Sequence, residues 1–201
     1  PGQGREMDTR TKHTRRRWDR LTSHTEHNGR LQSPAMLRTR EILCAGARGN
    51  TLEVAVGAGR NLPYYPPQIR LTAIDPDPEM LDRARERAEE LGMVARFAES
   101  DTQELKFADQ TFDTVLCTLA MCAVPDQRRA LSEIHRVLVP GGRLLMVDHI
   151  EYALFPGRHV ERLRENPRRL PREVAVEVGF EVGHHDRLFL GLVERVVAHR
   201  P

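Results

Sequence analysis

Short apolar runs alternate along the chain with longer segments in which apolar residues recur every three or four positions. The short runs predict β-strands and the longer segments predict amphipathic helices. The predicted strands cover residues 51–56, 70–74, 94–98, 111–117 and 143–149, and the predicted helices cover residues 33–47, 77–91, 127–138 and 172–178. This alternation favours an α/β fold with a parallel sheet between helices.

The remaining segments define the ends of the predicted domain. Strands at 180–184 and 189–198, with a turn near Asp186, are expected to close the sheet. Residues 1–30 are polar and basic, and they predict a mobile or lid-forming N-terminal arm. Residues 152–171 are rich in Pro and Arg with weak periodicity, so they predict an irregular insertion or lid. Residues 31–201 would then form a single domain.

A glycine loop followed by an acid is the most informative motif of the chain. Gly57 and Gly59 follow the first predicted strand, and Asp75 ends the second. Glycines allow positive φ and a close approach of backbone N–H groups to a ligand, while the acid can accept hydrogen bonds from a ribose diol. The combination predicts a nucleoside site.

The same loop argues against two common nucleotide sites. Leu62 stands where a dinucleotide-binding loop has its third glycine, which weakens the case for a pyrophosphate site. A P-loop is also unlikely on sequence, because the chain has only two lysines, Lys12 and Lys106, and neither is near a glycine loop. A nicotinamide oxidoreductase therefore remains only an alternative.

These residues resemble the class I S-adenosylmethionine-dependent methyltransferases. The first motif of that family is matched by Glu53-x-Ala55-x-Gly57-x-Gly59, with Ala55 where glycine is commonest. The resemblance continues, in the family's order, through residues 75–80, 99–101, 112–116 and 136–145, and covers roughly residues 50–150. It implies a Rossmann-like, seven-stranded sheet, mostly parallel, with a C-terminal antiparallel strand and helices on both faces.

The resemblance also implies a set of cofactor-binding residues. Gly57 and Gly59 would contact the methionine part of S-adenosylmethionine, and Asp75 would hold the ribose hydroxyls. Asp101, Thr102 and Met80 would lie around the adenine, and Thr118 and Leu119 near the reacting methyl. The full set is Glu53, Ala55, Gly57, Gly59, Asn61, Asp75, Pro76, Met80, Asp101, Thr102, Thr118 and Leu119. For Asp75 the alternative is an acid that only closes the turn before Pro76.

His149 is the candidate general base. It ends the fifth predicted strand beside Asp148, on the expected acceptor side, and histidine titrates in the range suited to proton removal near neutrality. A histidine satisfied by local packing is the alternative. No metal site is predicted, because the adjacent His184 and His185 would point to opposite faces of a strand.

Composition limits the class of protein and its partners. The formal net charge is +2, which gives little reason to expect a nucleic-acid partner. No apolar run could span a bilayer, so a cytoplasmic protein is expected. The three cysteines, Cys44, Cys117 and Cys122, are expected to be buried free thiols. Basic stretches at 1–20 and 156–172 are compatible with an anionic acceptor or peripheral contact with an acidic membrane, although a solvated face explains them as well.

The predicted function is methyl transfer from S-adenosylmethionine, with S-adenosylhomocysteine as product, to a nitrogen, sulfur or oxygen atom of a small or amphipathic acceptor. The segments 59–65, 117–126 and 189–197 look most like phospholipid N-methyltransferases and small-molecule thiol methyltransferases. The alternatives are carbon methylation of a quinone-like ring and a non-catalytic, cofactor-binding regulatory protein. The sequence does not give the oligomeric state.

Overall fold

The computed structural model describes residues 34–150, 153–154, 158–159, 162 and 169–201. Residues 40–201 form one compact unit that holds the whole sheet, while residues 34–39 belong to an N-terminal unit. The predicted arm at 1–30 lies outside the described residues, as does most of the predicted insertion at 152–171. Both therefore stay predictions.

Among the described residues, seven strands form a single sheet in the order β3-β2-β1-β4-β5-β7-β6. Strands β1 to β5 pair in parallel, and β7 is antiparallel to both β5 and β6. The strands are β1 Asn50–Val54, β2 Arg70–Asp75, β3 Ala95–Glu99, β4 Phe112–Thr118, β5 Leu138–His149, β6 Glu181–Leu188 and β7 Val193–His199. The predicted Rossmann-like sheet with a C-terminal antiparallel strand is confirmed.

Four helices of the described residues accompany the sheet: α1 Pro34–Ala45, α2 Pro78–Glu90, α3 Gln127–Val137 and α4 Pro171–Glu177. Side-chain caps fix two of the starts, because Asp77 accepts from the N–H of Glu79 and Asp126 accepts from that of Arg129. Helix α2 buries Leu81, Ala84 and Ala88 as its periodicity predicts. Leu91, the last residue of the predicted helix, follows the last turn of α2 and is 46% exposed.

The junction of α3 and β5 differs from the prediction. The helix ends at Val137, within one residue of the prediction, but β5 begins at Leu138 rather than at the predicted residue 143. The register with β4 shifts between Phe112 and Thr114, so the extra residues of β5 bulge out of the ladder. Hydrogen bonds from Gly141 N to Arg200 O and from Arg200 N to Gly142 O hold the bulge against the end of β7.

The predicted turn near Asp186 is wrong. Asp186 lies inside β6, opposite Arg195 of β7, and its carboxylate accepts two hydrogen bonds from that guanidinium at 2.9 and 2.8 Å. The turn comes later, at Phe189–Gly191, so the last strand begins at Val193 rather than at 189. A bidentate cross-strand ion pair thus extends β6 beyond the predicted end of this strand.

Apolar layers cover both faces of the sheet. One face packs Leu52, Val115 and Met146 against Leu131 of α3 and Val174 of α4. The other face buries Leu43 and Cys44 of α1 with Leu116, Leu145 and Val147. All three cysteines are free and buried, as predicted, and burial raises the pKa of the Cys44 and Cys117 thiols. No helix within the described part of the chain combines the length and apolarity needed to cross a membrane.

Candidate functional site

The loop between β1 and the 3-10 turn at Leu62–Tyr64 has an unusual backbone. Ala55, Gly57 and Gly59 have φ values of +52°, +54° and +72°. The loop stays attached to β2, since Val56 N donates to Ile74 O at 2.9 Å, and it closes on itself through Gly59 N to Val56 O at 3.1 Å. Three left-handed residues within five positions turn the chain sharply at the carboxyl edge of the sheet.

The two glycines of this loop have different surroundings. A Cβ on Gly59 would lie 2.7 Å from Leu62 Cδ1 and 3.2 Å from the Cα of Ala84, so this glycine lets the loop pack closely against α2. A Cβ on Gly57 would meet nothing within 4 Å. Gly59 therefore serves packing, whereas Gly57 borders open space in which a ligand could lie.

Asp75 faces the glycine loop from the end of β2. Its Oδ2 accepts from Gly57 N at 2.9 Å, and its Oδ1 accepts from Asp77 N at 2.9 Å. The side chain is largely buried. Asp75 thus closes the turn before α2, which was the alternative interpretation, and also contacts the residue that borders the open space. The structure brings these two predicted residues together.

Glu53 lies deeper, within a buried polar network. Its carboxylate accepts from Asn61 Nδ2 at 2.7 Å and from the Tyr65 hydroxyl at 2.9 Å. Asn61 also donates to Thr118 Oγ1 at 2.9 Å and accepts from Arg40 at 2.6 Å. Burial raises the pKa of Glu53 to about 7, although the hydrogen bonds from Tyr65 and Asn61 oppose this increase.

Arg40 and Tyr65 are members of this network that sequence reasoning missed. The sequence did contain a sign of the buried position of Arg40, because this residue shares one helical face with Leu43, Cys44 and Ala47. All four residues are buried in the structure. A charged residue in an otherwise apolar stripe needs a buried partner. Tyr65 gave no such signal, since its contact with Glu53 depends on how the loop folds.

The predicted adenine residues lie beyond β3 and Asp75. Thr102 is buried, whereas Asp101 is exposed and accepts from Gln103 N at 2.8 Å, so its carboxylate also shapes its own turn. Met80 is half-buried on α2 and Pro76 is exposed. Ser100, which was not predicted, donates its N–H to Asp75 O at 3.2 Å, and its buried hydroxyl has no hydrogen-bond partner among the described residues.

The acceptor side is formed by the ends of β4 and β5. Leu119 has a φ of +56°, and its N–H donates to Val147 O at 2.7 Å. His149 is the half-buried last residue of β5, and its N–H donates to Asp148 Oδ1 at 2.8 Å. Asp148 also accepts from Met121 N, and burial raises the pKa of its carboxyl group. His149 is therefore held at the carboxyl edge, where the prediction placed it.

The other histidines considered for chemistry lie on β6. His184 is 3.8 Å from Asp186, and His185 is 3.9 Å from Glu194, so the two side chains contact different acids. Among the described residues, no group of three or more His, Cys, Asp or Glu side chains could hold a metal ion.

Two cavities border the opposite, amino edge of the sheet. One, of about 650 Å³, lies between the segment before β2 and the segment before β3. The other is lined by Arg48, Asp113 and the bulge at 139–143. Neither is lined by Ala55, Gly57, Gly59 or Asp75, although Leu62 and Tyr65, which follow the two glycines, line the larger cavity.

The residues at the carboxyl edge fit an adenosine-type cofactor. Gly57 borders an open space, the cradle, into which a Cβ would project, and Asp75 offers carboxylate oxygens beside it. Ser100, whose N–H contacts Asp75, has a hydroxyl without a hydrogen-bond partner in the part of the chain that the structure describes. An orphaned buried hydroxyl is rare in native proteins, and a ligand that hydrogen-bonds to it would account for this one. These observations fit a ribose and its base.

Comparison with known proteins points to the same class. Residues 52–146 match the family described as the methyltransferase domain. The chain is 41% identical over 128 residues to a phosphatidylethanolamine N-methyltransferase of Cereibacter sphaeroides, covering 62% of this chain and 63% of that protein. It is 36% identical over 111 residues to a thiol S-methyltransferase of Homo sapiens, covering 52% and 45%. It is also 37% identical over 100 residues to a demethylmenaquinone methyltransferase of Deinococcus radiodurans, covering 48% and 42%.

These relatives are only partly covered, since the chain spans 63% of the first and less than half of the other two.

Solved structures with low sequence identity show the fold. A SAM-dependent methyltransferase of Aquifex aeolicus superposes with a TM-score of 0.62 at 22% identity, covering 86% of this chain and 93% of that one. The [4+2]-cyclase SpnF superposes at 0.69 and 17% identity, covering 83% and 81%. One fold thus carries more than one chemistry.

Proposed function

Because residues 52–146 match the methyltransferase domain family and the fold is that of class I methyltransferases, we propose that the chain transfers a methyl group from S-adenosylmethionine to a nitrogen, sulfur or oxygen atom of a small or amphipathic acceptor. The single observation that carries this proposal is the contact of Asp75 with Gly57 beside an open cradle. That arrangement offers ribose acceptors and free space at one point.

The cofactor, when bound, supplies an electrophilic methyl group on a sulfonium with a good leaving group. The protein then has to position two reactants and exclude water, which alone can account for much of a rate enhancement. Asp75 and Ser100 would hold the ribose and adenine end. Glu53, Asn61 and Thr118 would support the other end through their shared network, in which Asn61 bridges the ends of β1 and β4.

The relatives suggest the class of acceptor. Two of them are named for transfer to the nitrogen of a phospholipid and to a thiol sulfur, and both acceptors must lose a proton when they enter as an ammonium or a thiol. We propose that His149 removes this proton, because it lies at the carboxyl end of β5 next to the loop after β4. Its backbone is fixed by Asp148 and by pairing with Val193.

A second candidate is carbon methylation of a quinone-like ring, and it is favoured by the demethylmenaquinone methyltransferase among the relatives. Such an acceptor has no thiol or ammonium proton to lose. The low aromatic content of the chain, 5%, gives this candidate less support.

Calorimetric titration of the full chain with S-adenosylmethionine and S-adenosylhomocysteine tests the cofactor, with NAD as the control. We expect saturable binding of the first two compounds only. Binding of NAD instead would overturn the proposal, and so would a failure of all three to bind. A cofactor-loaded protein would next be offered thiol, amine, phospholipid, phenol and quinone acceptors, and methylation of the quinone alone would select the second candidate.

The role of His149 is tested by His149→Ala against His199→Ala, which changes a histidine at the opposite end of β7. We expect His149→Ala to leave cofactor affinity unchanged. At pH values below the pKa of a thiol or amine acceptor, it should lower kcat by about 10²–10⁴-fold. The loss should shrink as pH rises and the acceptor deprotonates in solution. An equal loss at every pH, or the same loss in His199→Ala, would argue against a general base.

A further inference from the structure

The turn between β6 and β7 exposes apolar side chains at the carboxyl edge of the sheet. Leu190 is fully exposed and Leu192 is 44% exposed, while Phe189 packs partly against the core. Because β6 runs in the same direction as β5, this turn lies beside the end of β5, and Ile150 N donates to Leu192 O at 2.8 Å. An apolar tip thus stands next to the proposed acceptor side.

The backbone of this tip is strained. Phe189, Leu190 and Gly191 have φ values of +50°, +57° and +86°. The left-handed region is unfavourable for residues with a Cβ, and a turn could use Gly or Asn there at no such cost. The turn nevertheless keeps Leu at its most exposed position, where packing gives it no compensation. Strain of this kind in a native structure points to a function outside the fold.

Basic side chains accompany the tip. A Cβ on Gly191 would lie 3.8 Å from Leu154 Cδ1, so Leu154 is adjacent to the turn. Arg158 N donates to Leu154 O, and Arg162 N donates to Arg158 O, so these hydrogen bonds link two exposed arginines to Leu154. Arg187, two residues before Phe189, is 45% exposed and lies 3.7 Å from Glu194, so part of its charge is balanced.

We propose that the tip at 189–192 (Phe-Leu-Gly-Leu) inserts into the interface of a membrane that contains anionic lipids, with Leu190 as the main apolar contact. Apolar side chains flanked by arginines are the combination that such interfaces bind, because burial and attraction to anionic headgroups act together. The contact would place the carboxyl edge at the lipid surface. Entry of an amphipathic acceptor from that surface rests on the proposed function, whereas the membrane contact itself does not.

The test uses sedimentation of the full chain with vesicles of phosphatidylcholine mixed with phosphatidylglycerol, and with vesicles of phosphatidylcholine alone. We expect binding to the mixed vesicles that weakens as salt is raised. Leu190→Asn should lower the partition coefficient about tenfold or more, as expected when a buried leucine is lost. Asn tolerates positive φ, so the turn is preserved, and an unchanged melting temperature would verify the fold.

Val94→Asn is the matched control. Val94 is 94% exposed, like Leu190, but it precedes β3 at the amino edge of the sheet. We expect this variant to bind vesicles as the unmodified chain does. A second measurement uses Leu190→Trp and Val94→Trp, in which Trp18 contributes the same background. Vesicles should shift the tryptophan emission to the blue only in Leu190→Trp.

Three outcomes would overturn the proposal: no binding of the unmodified chain to mixed vesicles, equal binding by Leu190→Asn, or a blue shift confined to Val94→Trp. Self-association in the ultracentrifuge that Leu190→Asn abolishes, without vesicle binding, would assign the tip to a second copy of the chain and also overturn it. These measurements need neither cofactor nor acceptor. Their failure is therefore separate from failure of the proposed methyl transfer.

Discussion

Two acids at the ends of neighbouring strands occupy different environments. Glu53 of β1 is fully surrounded by Asn61, Tyr65 and the core, and burial raises the pKa of its carboxyl group. Asp75 of β2 accepts two backbone N–H groups at the rim of the open cradle, and a carboxylate offers more acceptor positions than these two use. Glu53 therefore belongs to the support of the site, and Asp75 to its surface.

The role of Asp75 leads to a prediction for Asp75→Asn. The amide can no longer accept from both Gly57 N and Asp77 N and also from ribose hydroxyls, so we expect cofactor binding to weaken by about 1–3 kcal/mol in titration calorimetry. Asp113→Asn is the control, because Asp113 accepts from Asn50 N at 2.7 Å at the amino edge. If folded Asp75→Asn bound the cofactor with unchanged affinity, the ribose would not lie at Asp75.

Ala55 gives a prediction of the opposite sign. It has a φ of +52°, which costs an alanine about 1–2 kcal/mol, whereas glycine adopts it freely but loses about 0.5–1 kcal/mol in chain entropy. Ala55→Gly should therefore raise the free energy of unfolding by up to about 1 kcal/mol in urea titration. Ala58 lies in the same loop but is not among the residues with positive φ, so Ala58→Gly should lower the free energy of unfolding. Destabilisation by both changes would mean that the methyl of Ala55 contributes packing that outweighs its strain.

At the scale of elements, the glycine loop and α2 act as one unit. Gly59→Ala forces a Cβ against Leu62 and the backbone of Ala84, so we expect it to shift α2 and lower the free energy of unfolding by more than about 2 kcal/mol. Gly57→Ala meets no neighbour, so it should cost only the backbone strain of about 1–2 kcal/mol, offset by about 0.5–1 kcal/mol of chain entropy.

The two variants should also separate binding from folding. The added methyl of Gly57→Ala points into the proposed cradle and should reduce cofactor affinity more than it reduces stability. Thermal melts with and without S-adenosylhomocysteine measure both effects, since a ligand that binds only the folded state raises the melting temperature. A full ligand-induced shift in Gly57→Ala would show that the cradle lies elsewhere.

The sequence predicts most elements of this fold because their apolar periodicity is local. Helix α2 and the strands of the parallel sheet lie within a few residues of the predicted bounds. Two differences from the prediction, the early start of β5 at Leu138 and the absence of a turn at Asp186, have a common cause. Pro, Gly and Asp favour turns locally, but in both places the pairing of β7 with its neighbours keeps the chain in the sheet. Such non-local pairing is invisible to a pattern along the chain.

The candidate site divides in the same way. Gly57, Gly59 and Asp75 follow from motif spacing, and the structure brings Gly57 and Asp75 into contact. Tyr65 and Ser100 could not be found from spacing, because one depends on the fold of the loop and the other on a missing hydrogen-bond partner. The apolar tip at 189–192 was likewise predicted as part of a strand, and its chemistry emerged only with its exposure.

For the whole molecule, the buried network makes stability depend on pH. In the folded state the pKa of Glu53 is about 7, against 4.5 for an unperturbed glutamate. The folded chain then holds this proton more tightly than the unfolded chain does. The contribution of this group to the free energy of unfolding is fully present below pH 4.5 and is lost as pH rises through 7. The loss is ~3 kcal/mol, at about 1.4 kcal/mol for each unit of pKa difference.

The test of this pH dependence is Glu53→Gln, which keeps an acceptor for Asn61 and leaves Tyr65 a partner but removes the titration. We expect the stability of the unmodified chain relative to this variant to fall between pH 4.5 and 7 in urea unfolding. Glu133→Gln is the control of opposite sign. Arg136 lowers the pKa of Glu133, so its stabilising effect is present at neutral pH and is lost in acid. A difference between the unmodified chain and Glu53→Gln that stays constant with pH would mean that Glu53 is ionised in the folded protein. Its charge would then be balanced by Arg40 through Asn61.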